Sequence, residues 1–286
     1  MQVKLLVLVG LIPALLGAVA MLVGAKVRRG GAAIAGGLVG VAIAAAYVGD
    51  GNAIQLPVKS AFGWTPWVAL GAGIVGSIAS LKNVPAAVRI VLSLLAVLLV
   101  NRAGLTLAVR DASSSFVASL LVAGAGVVTL AMWNQLRMGA EKTPRVIVGV
   151  ALLALASAGA LVFSGTMKLG VVSLGMCGAV GGCAALSMLR PRWARAGSLL
   201  AAPSMVLALL WGLGVTLSEL PIGSALLLAA SGTSIGLAGV RKPGGVKGWR
   251  GWLLTLGPGA VLAAAAIGVA LAYHPPGGGG EANPYG

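Results

Sequence analysis

Asn101 and Arg102 are the two residues of this chain whose type and position best fit a binding site. They lie in an apolar stretch that must run from Val84 to Val109 if Arg89 marks its inner end and the stretch crosses a bilayer. At about 1.5 Å per residue, Arg102 then lies roughly two turns from the outer end. An intramembrane arginine costs about 2.5 to 3.5 kcal/mol on insertion scales and is typically kept for a partner or an anionic substrate. The pair therefore predicts a substrate contact.

A second interpretation of the same stretch needs no site. If the helix ends at Val100, Arg89 reaches back to the membrane surface along its flexible side chain. Arg102 is then an ordinary loop cation. The sequence leaves both interpretations open.

Proline and small polar residues mark two further candidate places. Pro13, Pro203 and Pro258 lie inside apolar stretches and predict helix breaks, because proline lacks the N–H that a helix interior needs. Unwound helix near the membrane midplane is one way to build a substrate site. Ser231 and Ser234 lie in a stretch rich in Ser, Thr and Gly, and we count them as candidate substrate contacts. The alternative is that they only hydrogen-bond between helices.

The residues that most enzymes and metal sites require are missing from the apolar stretches. The single histidine, His274, follows the last stretch, and no Asp or Glu lies in the middle of one. Cys177 and Cys183 are six residues apart, so on a helix they point in different directions. Lys168 is the one remote candidate for a Ser-Lys pair. We therefore predict no catalytic residue, no metal, no cofactor and no enzymatic activity.

Composition places the chain in a membrane. Hydrophobic residues make up 59% and charged residues only 9%, whereas a soluble domain carries about a quarter charged. Repeated apolar stretches of spanning length predict an all-α, polytopic transmembrane bundle, because only helices and closed barrels satisfy their backbones in lipid. The net charge of +15 is scattered over short loops, so it predicts contact with lipid headgroups and no nucleic-acid partner.

Ten apolar segments predict about ten transmembrane helices in a single domain, 1–273. A Pro- and Gly-rich tail, 274–286, is expected to be a flexible extracytoplasmic extension. The segments are Val3–Ala25, Gly31–Val48, Trp64–Leu81, Val84–Val109, Phe116–Trp133, Val146–Phe163, Lys168–Leu189, Ala196–Leu217, Ile222–Val240 and Trp252–Tyr273.

The gaps between segments alternate in charge. Fifteen of the twenty Lys and Arg residues belong to the odd-numbered gaps when Arg89, at the inner end of segment four, is counted with them, and four of the five acids fall on the opposite side. Since cytoplasmic loops retain cations, the odd loops are predicted to be cytoplasmic and both termini outside, in a plasma or bacterial inner membrane. Lys4 and the triplet at Ala18–Ala20 also resemble a cleaved signal peptide, but the first segment is longer than a typical signal core.

Glycine is abundant, at 45 residues, and several pairs have GxxxG spacing, which lets helix backbones approach closely. The pairs are Gly36 and Gly40, Gly178 and Gly182, and Gly232 and Gly236. Such faces also permit a homo- or hetero-oligomer.

The segment count and the helix breakers favour a permease-like protein for a small neutral or anionic solute. Ten segments would also permit two inverted five-helix halves, as in many secondary transporters, although no residue-level repeat supports this. The alternative function is a non-catalytic subunit or scaffold of a larger membrane complex.

Overall fold

The computed structural model describes residues 6–26, 31–79 apart from 55, 57 and 59, 143–189, 196–217, 220–240 and 248–273, with isolated positions between 85 and 124. These ranges contain helices, turns and loops but no strand. A π-helical turn at Leu6–Leu11 leads into the first helix, and a 3₁₀ turn at Phe62–Trp64 leads into the third. The helices are α1 (Ile12–Lys26), α2 (Gly31–Gly49), α3 (Thr65–Ala79), α4 (Thr143–Phe163), α5 (Met167–Leu189), α6 (Ala196–Leu217), α7 (Ile222–Val240) and α8 (Trp249–Tyr273).

The all-α prediction is confirmed for the described part of the chain. Helices α1 to α3 coincide with predicted segments one to three, and α4 to α8 with segments six to ten. Segments four and five, with Asn101 and Arg102, lie outside the described residues. Five of the described helices are long and apolar enough to cross a membrane: α1 with its π turn, α4, α5, α6 and α8. Apolar stretches of α2, α3 and α7 are shorter, and the count of ten spans stays a prediction.

Contacts along the helices fix their relative directions. Helices α1 and α5 run parallel, because Gly10 approaches Gly178 and Ala14 approaches Gly182 one turn further along both helices. Helices α2 and α3 run antiparallel, since Gly40 lies against Ala69 whereas Gly36, one turn earlier in α2, lies against Gly73, one turn later in α3. Helices α1 and α2 are also antiparallel, because Leu8, just before α1, lies against Gly49 at the end of α2. Neighbours in the chain therefore alternate in direction here, as successive membrane spans must.

The second half of the described chain alternates as well. Ser173 of α5 donates to the carbonyl of Ala154 in α4, and Gly170 approaches Ala158, so α4 and α5 are antiparallel. Helix α6 runs parallel to α4. Trp211 contacts Ser157, and about one turn further along both helices Gly214 lies against Leu161. It follows that α3 ends, and α4 begins, at the same end of the bundle.

Helix α6 is the centre of the described bundle. It packs against α2, α3, α4, α5 and α7, and nearly all residues of its span are buried. Its Trp211 is 2% exposed and donates its indole N–H to Ser157 Oγ at 2.9 Å, which in turn donates to the carbonyl of Leu153. A buried indole N–H is stabilised by such a partner, because water does not reach it. The hydrogen bond therefore fixes α6 on α4.

Glycine allows the closest helix crossings. A Cβ on Gly178 would lie 2.7 Å from the carbonyl oxygen of Gly10, and one on Gly182 would collide with that of Ala14. Cys183, next along α5, donates its Sγ–H to the carbonyl of Gly17. Two of the predicted glycine pairs, Gly178 with Gly182 and Gly36 with Gly40, thus pack within the chain. An oligomer formed through glycine would need another face.

Gly182→Ala is expected to destabilise the protein, because the new methyl group must push the α1 backbone away. Overpacking of this kind costs about 1 to 3 kcal/mol. Gly181→Ala is the matched control, since a Cβ at Gly181 meets nothing within 4 Å. Thermal unfolding in one detergent, followed by tryptophan fluorescence, should show a lower midpoint for Gly182→Ala and an unchanged or higher one for Gly181→Ala. Equal midpoints would contradict the close crossing.

Candidate functional site

A polar cavity of about 410 Å³ lies at one end of the bundle, and we call it the end cavity. Its volume is in the range of small-molecule sites, about 300 to 1,000 Å³. The end of α2, the loop that follows it, the turn between α4 and α5, and the last residue of α6 form its walls. The lining residues are Tyr47, Asn52, Ala53, Val58, Ser60, Phe62, Gly63, Thr166, Lys168, Leu169 and Leu217.

The turn that closes α2 positions Asn52 in this wall. Gly51 has a φ of +86°, a left-handed conformation that glycine adopts without steric cost, and its N–H bonds to the carbonyl of Val48. The side-chain amide of Asn52 donates to the carbonyl of Tyr47 at 3.2 Å and to Asp50 Oδ2 at 3.1 Å. The exposed helix end is thus capped by a side chain, which holds the amide against the cavity.

The loop after α2 is pinned back onto that helix by an aromatic pair. The rings of Tyr47 and Phe62 lie 5.0 Å apart between centroids and are tilted by 46°. This is a favourable geometry for two aromatic rings. Ser60 Oγ accepts a hydrogen bond from the N–H of Gly63, and Thr65 Oγ1 donates to the carbonyl of Phe62 at 2.7 Å. These bonds order the 3₁₀ turn and set the Ser60 hydroxyl in the cavity wall.

A glycine-closed turn presents Thr166 and Lys168 from the opposite side. The N–H of Gly165 (φ +89°) bonds to the carbonyl of Val162, and the N–H of Thr166 bonds to that of Leu161. This pair of bonds is the Schellman motif that commonly ends a helix at glycine. Because α5 begins directly after the turn, Lys168 is held in its first turn, at the cavity.

Asp50 and Lys168 are the charged groups at this end of the bundle among the described residues. Burial raises the pKa of the Asp50 carboxyl, while the amide of Asn52 and the charge of Lys168 lower it without offsetting the burial. The other end carries Lys26, Arg145 and Arg250. There the Arg145 guanidinium lies 5.8 Å from the ring centre of Trp252.

The end cavity gathers side chains that can bind a small molecule. It collects three hydroxyl groups, one amide and one ammonium group beside aromatic and aliphatic side chains. Within the described part of the chain, no hydrogen bond joins Lys168 to a serine or threonine hydroxyl. The arrangement therefore offers hydrogen-bond donors and a cation to a solute.

The structure places two of the sequence-predicted site residues, Ser231 and Ser234, outside the end cavity. Ser231 is fully buried in α7, and its hydroxyl donates to the carbonyl of Gly259 in α8 at 2.7 Å. Ser234 is half-buried about one turn further along α7. Neither residue lines the end cavity, whereas Asn101 and Arg102 lie outside the described ranges. Their role as substrate contacts stays a prediction.

The three prolines differ in their surroundings. Pro13 is the second residue of α1, directly after the π-helical turn. The helix therefore changes from π to α geometry next to the proline, which lacks a backbone N–H. Pro203 is buried inside α6, and Pro258 is exposed inside α8. Both of those helices are continuous across their proline, and none of the three residues lines the end cavity.

Sequence reasoning missed most of the residues that line the end cavity. Of these residues, only Lys168 stands out in the sequence, as a remote candidate for a Ser-Lys pair. Two signals were present: Gly51 and Gly165 each follow an apolar segment and indicate a helix end. Nothing in the sequence shows that these two turns meet, because about 110 residues separate them.

Asp50→Asn is expected to stabilise the protein near pH 7 and to have little effect near pH 4. Because the native state raises the pKa of Asp50, ionisation opposes folding at neutral pH, and most of this penalty is lost as the pH falls through the raised pKa towards the ordinary value of 3.8. The rise in unfolding midpoint should be on the order of 1 °C, since water screens a half-exposed group. Asp50→Glu keeps the negative charge and should not show this rise in the unfolding midpoint. An equal rise at both pH values would contradict the assignment.

Comparisons with known proteins add no functional assignment. No family model matches the chain, and no curated protein or solved structure is similar to it. The function of the end cavity is therefore argued from its own residues.

Proposed function

We propose that this protein is a permease-like membrane protein that moves a small neutral or anionic solute, with the end cavity as the solute's entry and binding site. The observation that supports this is the end cavity itself, a cluster of polar side chains against an apolar helical bundle. A concave site that combines an apolar wall with a few convergent polar groups is the usual form of a small-molecule site. Among the described residues, Asn52, Ser60, Thr166 and Lys168 gather at this cavity.

The floor of the end cavity is closed. We take Leu169, which lines the cavity at 4% exposure, as its floor, because Val172, about one turn further along α5, and Leu213, about one turn before the end of α6, are fully buried. A solute that enters from this end can pass only if these helices rearrange. Alternating access in secondary transporters works in this way, by the movement of one group of helices against another.

We assign the end cavity to the extracytoplasmic side. The opposite end carries three of the four described cations, Lys26, Arg145 and Arg250, and tryptophans 249 and 252 lie beside them. Cationic loops are retained in the cytoplasm. The assignment agrees with the charge alternation of the whole sequence.

The closed floor also favours a second candidate function. A bundle that never opens below the cavity would be a non-catalytic subunit or scaffold, and the end cavity would then be a docking or ligand site on its outer face. The two functions differ in whether the floor becomes accessible from the cytoplasm.

Cysteine labelling tests this difference. In a cysteine-free background (Cys177→Ala with Cys183→Ser), Leu169→Cys places a single thiol at the cavity floor. A permease exposes this thiol alternately to both sides, so a membrane-impermeant thiosulfonate should label it in right-side-out and in inside-out vesicles. Labelling from the outside alone, or from neither side, would show that the floor stays closed and would favour the scaffold.

Two further single-cysteine variants fix the orientation in the same experiment. Thr166→Cys should react only in right-side-out vesicles, because it lies in the cavity wall at the predicted outer end. Lys26→Cys, at the exposed end of α1, should react only in inside-out vesicles. The reverse pattern would overturn the orientation while leaving the test of the floor intact. Size-exclusion chromatography verifies that each variant is folded.

A further inference from the structure

The residues of the end cavity point to a class of ligand, and this inference rests on the proposed function. We infer that the end cavity binds a small organic monocarboxylate with an apolar body. The charge, the hydrogen-bond donors and the apolar wall each contribute a separate part of the argument.

Charge comes first. Lys168 is the ionised residue among the described residues that line the cavity. Asp50 lies nearby but is not part of the lining, and its carboxylate accepts the amide of Asn52. Among the described residues, one cation therefore faces the ligand. A monoanion matches it, whereas a dianion would bring a second negative charge towards Asp50 without a partner.

The hydroxyl groups favour an acceptor-rich ligand. Ser60 Oγ already accepts from the N–H of Gly63, which leaves its own proton for donation. Thr166 Oγ1 makes only a long contact, 3.4 Å, with the carbonyl of Leu161 and can exchange it for a better acceptor. Tyr47 adds a phenol to the lining. A carboxylate has two oxygens with about four acceptor positions, so it can use these donors together with the Lys168 ammonium.

The remaining wall is apolar. Phe62, Val58, Leu169 and Leu217 face the same space, and the ring of Phe62 is held against Tyr47 at 5.0 Å. A small inorganic anion such as sulfate would leave this wall in contact with water. An aromatic or branched carboxylate would cover it, and a cavity of about 410 Å³ has room for one.

Benzoate and its neutral isostere benzamide form the matched probe pair. Both have the same ring, and they differ in the negative charge. Binding to the purified full chain in an uncharged detergent, measured by isothermal titration, should be saturable and roughly three- to fivefold tighter for benzoate, as expected for one partly solvated ion pair. The preference should weaken at high salt. Phthalate, the dianion, should bind no more tightly than benzoate.

Substitutions assign the preference to the end cavity. Lys168→Met removes the charge but keeps an unbranched side chain, and it should reduce the benzoate-to-benzamide ratio to about one. Lys168→Arg should retain the ratio. Lys26→Met removes a lysine from the opposite end of the bundle and should leave the ratio unchanged, which excludes a general effect of net charge. Lys168 is exposed, so none of these variants needs the core to repack.

Several results would overturn the inference. Equal binding of benzoate and benzamide, equal losses in Lys168→Met and Lys26→Met, or tighter binding of phthalate would each do so. If phosphatidylglycerol raised the unfolding midpoint in a Lys168-dependent way while benzoate did not bind, the ligand would be an acidic lipid and the inference would be wrong.

The outcome is separable from that of the proposed function. Loss of benzoate binding together with labelling of Leu169→Cys from both sides would retain a permease but assign it another solute. Selective benzoate binding with labelling from the outside alone would leave a carboxylate-binding membrane subunit that does not transport.

Discussion

Hydroxyl groups in the core of this protein have no water to bond to, so each must find an acceptor inside the bundle. All nine buried Ser and Thr residues in the described part of the chain donate to a backbone carbonyl. Most bond within their own helix, but Ser173, Ser224 and Ser231 bond to the neighbouring one. A buried hydroxyl group without a partner would lower the free energy of unfolding by about 1 to 3 kcal/mol. This constraint determines where the polar groups of the core are and what they can do.

The same constraint explains how the helices come so close together. A carbonyl on one helix can be reached by a serine on the next only where the backbones approach, and small residues permit this approach. Gly259 accepts the Ser231 hydroxyl, and a Cβ at that position would lie 2.7 Å from Ile235. At the crossing of α1 and α5, the Cys183 thiol and the carbonyl of Gly17 are brought together in the same way.

The same constraint explains why the proposed solute site lies at the end of the bundle. Core hydroxyl groups that already donate hydrogen bonds inside the bundle are poor binding groups for a solute, because binding a solute would break the contacts that hold the helices together. Tyr47, Asn52, Ser60, Thr166 and Lys168 lie where the helices end and where two glycine turns satisfy the last carbonyls. Among the hydrogen bonds of the described residues, none made by these side chains ties one core helix to another, and this is why the proposed solute site is a cavity at the Asp50 end of the bundle and not in the described core.

Much of the fold was predictable from the sequence, and little of the site. Apolar runs and the turns at Gly51 and Gly165 predict the described helices to within about three residues, because helix length and helix ends are local properties. The GxxxG pairs indicated close crossings but not which helices meet in them. Ser231 shows the limit most clearly: its type and position fit a solute contact and a helix contact equally well, and only the position of Gly259 distinguishes them.

The sequence by itself determined that this is an apolar, helical chain with cations concentrated in alternate loops, because hydrophobicity and charge act on each segment separately. Only the tertiary structure decided that the turn after α2 and the turn after α4 meet around one cavity. That meeting depends on which helix faces which, and this is set by backbone approach at glycine and by hydrogen bonds between helices far apart in the chain.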